Sequence, residues 1–195
     1  MKKLVLGTRN AGKLREFKQL FEPVSIEILP IGDFTGEDVE ETGLTFVENA
    51  IIKARYACDV SGMPALADDS GLVIDALNGA PGIYSARYAG EHHDSDANIA
   101  KILQELKDVS DDQRTARFHC CLVYMRHAKD PTPIICEAQC EGLVARELKG
   151  ENGFGYDPMM YLPEFGCMSA ELSPEQKNKI SHRGKAMQMM LAKLL

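Results

Sequence analysis

The sequence predicts an α/β fold built on a mixed, partly antiparallel sheet flanked by helices. Short apolar runs alternate with segments whose apolar residues recur every three or four positions, which is the pattern of strands followed by helices. Two strand-like runs, residues 115–126 and 132–147, are separated by a Pro-containing turn with no helix between them. Because strands without an intervening helix are typical of antiparallel pairing, this pair indicates a mixed sheet.

The first part of the chain predicts two strands and two helices. Residues 3–7 are an apolar run typical of a buried strand, and residues 11–22 carry apolar side chains on one helical face. Alternating apolar residues over 24–28 predict a half-buried strand, which an acidic, Gly-containing loop over 32–44 follows. A capping box, Thr-Phe-Val-Glu, then starts a helix over about 45–60.

The next segment predicts two short strands separated by a polar break. Residues 65–67 are apolar and end at Asp68-Asp69-Ser70-Gly71, which we expect to interrupt the strand. A second strand over 72–77 ends at Asn78-Gly79, a strong turn signal. Residues 80–93 then predict a Gly-containing loop.

The remaining elements are predicted from periodicity and capping. Apolar residues over 99–106 mark a helix, and residues 150–158 are Gly-rich and predict a loop. Ser173-Pro174-Glu175-Gln176 is a second capping box with Pro at the first helical position. The last helix begins at about His182.

Length and composition favour a cytoplasmic protein with a single domain over residues 1–195. The net charge of -7 argues against a broad surface for nucleic acid or acidic membranes. No apolar run reaches membrane-spanning length, so we expect no membrane partner. The six cysteines form no C-x-x-C pair, which is typical of thiols packed in the core of a protein in a reducing compartment.

A candidate phosphate-binding turn follows the first predicted strand. Residues 7–13 read Gly-Thr-Arg-Asn-Ala-Gly-Lys and open the first helix, where backbone N–H groups and the helix dipole favour an anion. The pattern is almost a P-loop, but Leu14 stands where a P-loop has the Ser or Thr that holds Mg²⁺. It therefore predicts a phosphate site whose metal is held elsewhere, with an ordinary strand-to-helix turn as the alternative.

Two acidic pairs are the candidate metal ligands. Asp68-Asp69 follows a strand and Glu40-Glu41 lies on the predicted acidic loop. Adjacent carboxylates repel one another unless a cation or hydrogen-bond donors neutralise them, and oxygen-only sites suit Mg²⁺ or Mn²⁺. Either pair alone is more often a solvated turn. Combined with a phosphate turn that lacks its metal-binding hydroxyl, the two pairs predict a metal site.

Two further segments could contact a nucleotide. Gly153-Phe154-Gly155-Tyr156-Asp157-Pro158 sets two aromatic residues beside an acid, as in a stacking platform for a base, although a surface turn is the alternative. Lys177 and Ser181-His182-Arg183-Gly184 lie around a predicted break between helices. These side chains could donate to a carbonyl or phosphate, or form a solvated basic turn.

In this order, the segments resemble the inosine/xanthosine triphosphate pyrophosphatase family, and the match is closest to its bacterial members. Each match is weak alone, but together they span nearly the whole chain and are highly specific. The matching segments are 8–13, 40–43, 48–50 with 53–54, 67–72, 80–87, 153–158 and 181–184.

This resemblance implies an activity and an architecture. It implies hydrolysis of ITP, dITP and XTP to a monophosphate and pyrophosphate, which removes aberrant purines from the nucleotide pool. It also implies a requirement for Mg²⁺, with one or more ions per subunit, and a homodimer. The implied fold is an elongated mixed sheet with two lobes and a central active-site cleft.

The resemblance also implies the site residues. Asp69 is the implied catalytic base, and the implied metal-linked acids are Glu41 and Asp69. Residues implied to hold the phosphates are Thr8, Arg9, Asn10, Ala11, Gly12 and Lys13. Residues implied to approach the phosphates or sugar are Lys53 and Ser70. Residues implied to frame the nucleotide and its base are Phe154, Gly155, Tyr156, Asp157, Lys177, His182 and Arg183.

Other functions remain open from the residues themselves. A P-loop kinase or GTPase is disfavoured by Leu14 and by the absence of a recognisable Walker B strand. A nonenzymatic nucleotide-binding regulator is disfavoured because such a protein need not concentrate acids beside bound phosphates. A Maf-type nucleotide pyrophosphatase would have similar chemistry on other bases.

Overall fold

The computed structural model describes residues 2–24, 26–90 and 94–195. Its strands are β1 Lys2–Leu6, β2 Ile26–Pro30, β3 Ala65–Ile74, β4 Thr115–Met125, β5 Ile134–Val144, β6 Met160–Leu162 and β7 Cys167–Met168. Its α-helices are α1 Ala11–Phe21, α2 Phe46–Ser61, α3 Ser95–Glu105, α4 Pro174–Ile180 and α5 His182–Leu194.

The strands form one mixed sheet in the order β2-β1-β3-β4-β5-β6-β7. β1 pairs in parallel with β2 and β3, and the helical connections α1 and α2 lie between these strands in the sequence. β6 pairs antiparallel with both β5 and β7. The predicted α/β class with a partly antiparallel sheet is therefore confirmed.

The predicted break at residues 68–71 is wrong, because β3 runs without interruption from Ala65 to Ile74. Asp68 and Asp69 are both buried within it, and cationic side chains neutralise them. A strand can therefore continue through two acids that sequence reasoning assigns to a turn. The strand also ends earlier than predicted, since residues 75–77 form a 3-10 helix.

The predicted turn at Asn78-Gly79 is confirmed. Both residues have positive φ, 51° and 89°, which Asn and Gly adopt most readily. Sequence analysis missed a 3-10 helix over Gly82–Arg87, inside the predicted loop over 80–93. Residues 91–93 of that predicted loop lie outside the described residues.

The short strands β6 and β7 were also missed. They have three and two residues, too few for a period-2 pattern to be recognised in the sequence. The predicted capping box at Ser173 is confirmed, since its side chain accepts from the N–H of Gln176. None of the helices in the described part of the chain is long and apolar enough to cross a membrane.

The chain packs into two compact units, each made of separate stretches of sequence. The first unit comprises Met1–Asp69, Cys120–Ala138 and Arg183–Leu195. The second unit comprises Ser70–His119 and Gln139–His182.

The first unit covers both faces of its part of the sheet with helices. Leu4 and Leu6 pack in one apolar cluster with Phe17 of α1 and Met187 of α5. Val5, whose side chain points to the opposite face, packs in a second cluster with Ala54 of α2. Burial on both faces explains why β1 reads as a continuous apolar run.

The second unit has one apolar cluster of its own. Ile99 and Ile102 of α3 pack with Leu72 of β3 and with Tyr156 and Met159 near β6. The buried Arg114 donates to the carbonyl oxygens of Leu106 and Val144, which ties the end of α3 to β5. Each unit therefore has its own hydrophobic core.

Candidate active site

The phosphate-binding turn predicted at residues 7–13 joins β1 to α1. The hydroxyl oxygen of Thr8 accepts from the N–H of Asn10 at 3.2 Å, and Oδ1 of Asn10 caps α1 by accepting from the N–H of Lys13 at 3.0 Å. The accepting atoms of both side chains thus fix the turn. Their hydroxyl and amide donors are the groups suited to a phosphate oxygen.

A buried group of charges lies beneath this turn in the first unit. Oδ2 of Asp68 is 3.0 Å from Nζ of Lys13 and 3.1 Å from Nε of Arg183. Sγ of Cys120 donates to the other carboxylate oxygen at 3.5 Å. Asp68 is fully buried, so its charge requires these partners. The sequence predicted Asp68 only together with Asp69, as a candidate metal-binding pair, and did not predict its ion pairs with Lys13 and Arg183.

Arg183 is also buried, with 2% of its surface exposed. Its guanidinium also pairs with Glu16 on α1, a residue that sequence reasoning missed. Burial acts to lower the pKa of Arg183, but the charges of Asp68 and Glu16 outweigh burial, and the net pKa is raised. Arg183 is therefore a permanent cation in a fixed position.

The two predicted metal ligands lie around one ammonium group. Nζ of Lys53 is 2.7 Å from Oδ1 of Asp69 and 3.1 Å from Oε1 of Glu41. Burial acts to lower the pKa of Lys53, but the charges of Asp69 and Glu41 raise it overall. The two acids are therefore close enough to neutralise the same cation.

Asp69 combines burial with an available oxygen. Burial raises its pKa, and the opposing effects of Lys53 and Lys13 are smaller. Its Oδ2 atom is buried and has no hydrogen-bond partner among residues 2–24, 26–90 and 94–195. Because a buried acceptor without a partner is unfavourable, this atom is suited to a metal ion or a bound water.

Glu41 and Asp69 supply two carboxylates, which would need water or substrate oxygens to complete the coordination of a metal ion. Across the described ranges, which omit residues 1, 25 and 91–93, no group of three or more acidic, His or Cys side chains could hold a metal. Mg²⁺ is commonly held by one or two carboxylates, with water and substrate phosphates as its other ligands. Two carboxylates beside a phosphate turn match that pattern.

Arg9 contacts the predicted acidic loop. Its guanidinium donates to the carbonyl oxygens of Thr35 and Glu37 and pairs with Asp38 at 2.7 Å. These three residues belong to the predicted acidic loop.

In the second unit, Asp157 holds a tight loop together. Its Oδ2 accepts from the N–H of Phe154 at 2.8 Å and from Nζ of Lys177 at 2.7 Å. Its Oδ1 accepts from the hydroxyl of Ser169 at 2.7 Å. Gly153 has φ +81°, and a Cβ there would lie 2.1 Å from Oδ2 of Asp157, so the loop requires glycine at this position.

The two aromatic residues of this loop differ in exposure. Phe154 is 37% exposed, and Nζ of Lys177 lies 5.1 Å from the centre of its ring. Tyr156 is buried, and its hydroxyl donates to the carbonyl of Ser85 at 2.7 Å. Of the two, only Phe154 presents a ring on which a base could stack.

His182, Ser70 and Gly155 are predicted site residues of the second unit that are less exposed than Phe154. The buried ring of His182 stacks on Phe118 with centroids 5.0 Å apart. Ser70 lies on β3 and is half-buried. Gly155 has φ +61° and forms the turn between the two aromatic residues.

The model of the Ham1 family matches residues 4–193 of the chain. A dITP/XTP pyrophosphatase from Photorhabdus laumondii is 54% identical over 191 residues, which cover 98% of this chain and 97% of that protein. The dITP/XTP pyrophosphatase of Escherichia coli K12 is 53% identical over the same length, with the same coverage.

Solved structures agree with this match over the full length. A HAM1 protein from Coxiella burnetii has a TM-score of 0.92 at 48% identity and covers 100% of this chain and 98% of its own. The Ham1 protein of Staphylococcus aureus has a TM-score of 0.87 at 41% identity, with 99% and 98% covered. The resemblance read from the sequence is thus confirmed, and the chain belongs to the Ham1 family.

Proposed function

We propose that this chain hydrolyses ITP, dITP and XTP to the nucleoside monophosphate and pyrophosphate. Relatives more than half identical over nearly the whole chain are named dITP/XTP pyrophosphatases. The observation that best supports the proposal is that Lys53 contacts both Glu41 and Asp69. Two acids that could hold a metal ion thus lie beside a cation, and phosphoryl transfer requires such groups to stabilise the charge of the phosphates.

Glu41 and Asp69 would hold Mg²⁺ in this proposal. The ion, when bound, neutralises phosphate charge and favours departure of pyrophosphate. The buried Oδ2 atom of Asp69 supports this assignment, since it lacks a hydrogen-bond partner within the described parts of the chain. Lys53, which now neutralises both acids, would then be available to a phosphate oxygen.

Asp69 is also the proposed base. Burial raises the pKa of Asp69, which makes it a better proton acceptor than an ordinary aspartate. Asp69 would take a proton from the water that attacks the α-phosphorus. The bond between the α-phosphorus and the oxygen that bridges it to the β-phosphorus then breaks, and pyrophosphate leaves. Because water attacks the phosphorus directly, no covalent intermediate is needed.

The phosphates would bind at the turn between β1 and α1. The first N–H groups of α1, at Ala11 and Gly12, and the donors of Thr8 and Asn10 suit phosphate oxygens. Lys13 adds a formal charge that Asp68 holds in place. Ser70 remains a proposed contact to the phosphates or sugar.

Selection of the base would depend on side chains that donate hydrogen bonds and cannot accept them. Hypoxanthine and xanthine carry a 6-keto acceptor, whereas adenine carries an amino donor at that position. A cationic Arg183 only donates, so it would favour a keto acceptor over the amino group of adenine. His182, Lys177 and Phe154 are the other proposed contacts, with the exposed Phe154 ring stacking on the base.

Three broader features belong to the same proposal. Residues 1–195 would act as one functional domain, which the match of a single family model to residues 4–193 supports. The active form would be a homodimer, as the resemblance to the family implies. The protein would work in the cytoplasm, in keeping with six cysteines that are not paired as disulfides.

Product analysis with a panel of nucleotides tests the proposal. The protein is incubated with Mg²⁺ and ITP, dITP, XTP, GTP or ATP, and the products are separated by anion-exchange chromatography. We expect monophosphate and pyrophosphate from the first three, and little turnover of GTP and ATP. Orthophosphate as the first product would instead indicate a kinase-like or GTPase-like reaction, and binding without turnover would indicate a regulator.

A further inference from the structure

We propose that Arg9 is a positioning residue that holds residues 34–44, the part of the acidic loop that follows the 3-10 helix Ile31–Asp33, and thereby places Glu41 for metal binding. The inference rests on the proposed function, in which Glu41 and Asp69 hold Mg²⁺. It assigns to Arg9 a role different from the phosphate contact implied by its place in the turn.

Arg9 joins the phosphate turn to the acidic loop through several contacts. Nη2 of Arg9 donates to the carbonyl oxygens of Thr35 and Glu37, and Nε is 2.7 Å from a carboxylate oxygen of Asp38. A planar guanidinium can serve several acceptors at once, which an ammonium group cannot reproduce. The side chain therefore holds backbone and side-chain groups of three residues within the stretch 35–38.

Tyr56 of α2 supports the same part of the loop. Its hydroxyl lies 3.2 Å from Oγ1 of Thr35 and donates to the carbonyl of Glu37 at 3.3 Å. Two side chains from different elements thus converge on Thr35 and Glu37. This bracing is independent of the phosphate turn, because Tyr56 is not part of it.

The far end of the acidic loop is held by α2. Oδ1 of Asn49 accepts from the N–H of Gly43 at 2.8 Å, and the carboxylate of Glu48 accepts from the N–H of Leu44 at 2.9 Å. Glu41 lies between this anchor and the contacts of Arg9. It is part-exposed, and its contact with Lys53 depends on where the loop is held.

Loss of the Arg9 contacts would weaken the anchor at residues 35–38, which Tyr56 alone would then hold. The loop would then sample more conformations, and Glu41 would be ordered only at the moment of metal binding. Metal affinity should fall while the groups that contact the phosphates keep their positions. This pattern differs from that of a phosphate ligand, whose loss would raise KM for the nucleotide at saturating metal.

Four variants test the inference: Arg9→Ala, Arg9→Lys, Tyr56→Phe and Arg55→Ala. Arg55 is the charge-matched control, since it lies on α2 and donates to the carbonyl of Ala128. Three quantities are measured: hydrogen exchange of residues 34–44, Mn²⁺ binding to the nucleotide-free protein by electron paramagnetic resonance, and ITP kinetics at varied Mg²⁺.

For Arg9→Ala we expect faster exchange over 34–44 and about tenfold weaker metal binding, the lower end of losses seen when supporting partners of metal ligands are removed. At saturating Mg²⁺, KM for ITP and kcat should stay within about twofold of wild type. Tyr56→Phe should change the same quantities less, Arg9→Lys should recover part of the loss, and Arg55→Ala should match wild type.

Unchanged exchange over 34–44 in Arg9→Ala would overturn the inference, as would faster exchange with unchanged Mn²⁺ binding. A raised KM for ITP at saturating Mg²⁺, with normal metal binding, would make Arg9 a phosphate ligand instead. The exchange and Mn²⁺ measurements need no turnover. Failure of the wild type to release pyrophosphate would therefore overturn the proposed function and leave the test of Arg9 intact.

Discussion

At the scale of single residues, the chemistry of this chain depends on how each buried charge is neutralised. Asp68 has Lys13 and Arg183 as partners, whereas Asp69 has one oxygen on Lys53 and a second, buried oxygen without a partner among the described residues. Two adjacent aspartates on one strand are thus in different environments. Asp68 is suited to hold cationic side chains, and Asp69 is suited to contact a metal or a water.

Asp69→Asn should abolish most of the activity. The amide cannot accept a proton from water and is a weaker metal ligand, so kcat should fall by about 10²- to 10⁴-fold, the usual contribution of a general base. Steady-state kinetics with ITP measures the loss, and circular dichroism checks that the variant is folded. A kcat within threefold of wild type would remove Asp69 from the mechanism.

Gly153→Ala should damage the loop that presents Phe154. The new Cβ would lie 2.1 Å from a carboxylate oxygen of Asp157, and the residue would keep a positive φ. We expect KM for ITP to rise about tenfold or more, because stacking of a base on an aromatic ring contributes about 1–3 kcal/mol to binding. The matched control is Gly166→Ala, where φ is +66° but nothing lies within 4 Å of the added atom.

Strain alone would give both glycine variants the same loss of stability, about 1–2 kcal/mol for a left-handed residue. Thermal unfolding separates this effect from the clash with Asp157. If Gly153→Ala and Gly166→Ala had the same KM for ITP, the role of the loop in nucleotide binding would be wrong.

At the scale of elements, turns and strand ends are fixed by side chains that accept from backbone N–H groups. The connection between β4 and β5 is an example away from the proposed site. Both carboxylate oxygens of Asp130 contact Arg126, and they also accept from the N–H groups of Arg126 and Thr132. A single carboxylate therefore organises the turn between two long strands.

Asp130→Asn should destabilise the fold at neutral pH and destabilise it less in acid. Hydrogen bonds from Arg126 lower the pKa of Asp130, so its contribution to stability is full above the ordinary aspartate pKa, near 3.9, and is lost as pH falls towards the lowered value. Urea unfolding of wild type and variant at pH 7 and pH 3 measures this. The difference between them should shrink at pH 3, and an equal difference at both pH values would contradict the assignment.

At the scale of the whole molecule, we expect that the fold does not depend on a bound metal ion. Each unit has its own apolar clusters, and Lys53 already neutralises both proposed metal ligands. Unlike small domains whose folding requires a metal, this chain should be folded without one.

Removal of divalent metal should therefore abolish activity without unfolding the protein. We expect no release of pyrophosphate from ITP in excess EDTA and full recovery when Mg²⁺ is restored. The unfolding midpoint measured by circular dichroism should change by no more than about 2 °C, because an ion at a concentration near its Kd stabilises the fold by only about 0.4 kcal/mol. A large drop in the midpoint would mean that the metal is structural.

Local spacing in the sequence predicted the elements whose cause is local. Thr45 and Ser173 cap their helices as the two capping boxes predict, and Asn78-Gly79 forms its turn, because each depends on atoms within a few residues. The order of the motifs along the chain was also sufficient to recognise the family. These features need no knowledge of distant partners.

Only the tertiary structure decided how the charges are paired and where strands continue. Asp68 contacts Arg183 across 115 residues, and Asp69 contacts Lys53 across 16. Without those partners, an acidic pair after Ala67 indicates a solvated turn, which is why the break in β3 was predicted wrongly. The sequence by itself determined the family and the local turns, whereas long-range packing decided which carboxylates are buried, because a charge can leave water only where folding brings it a partner.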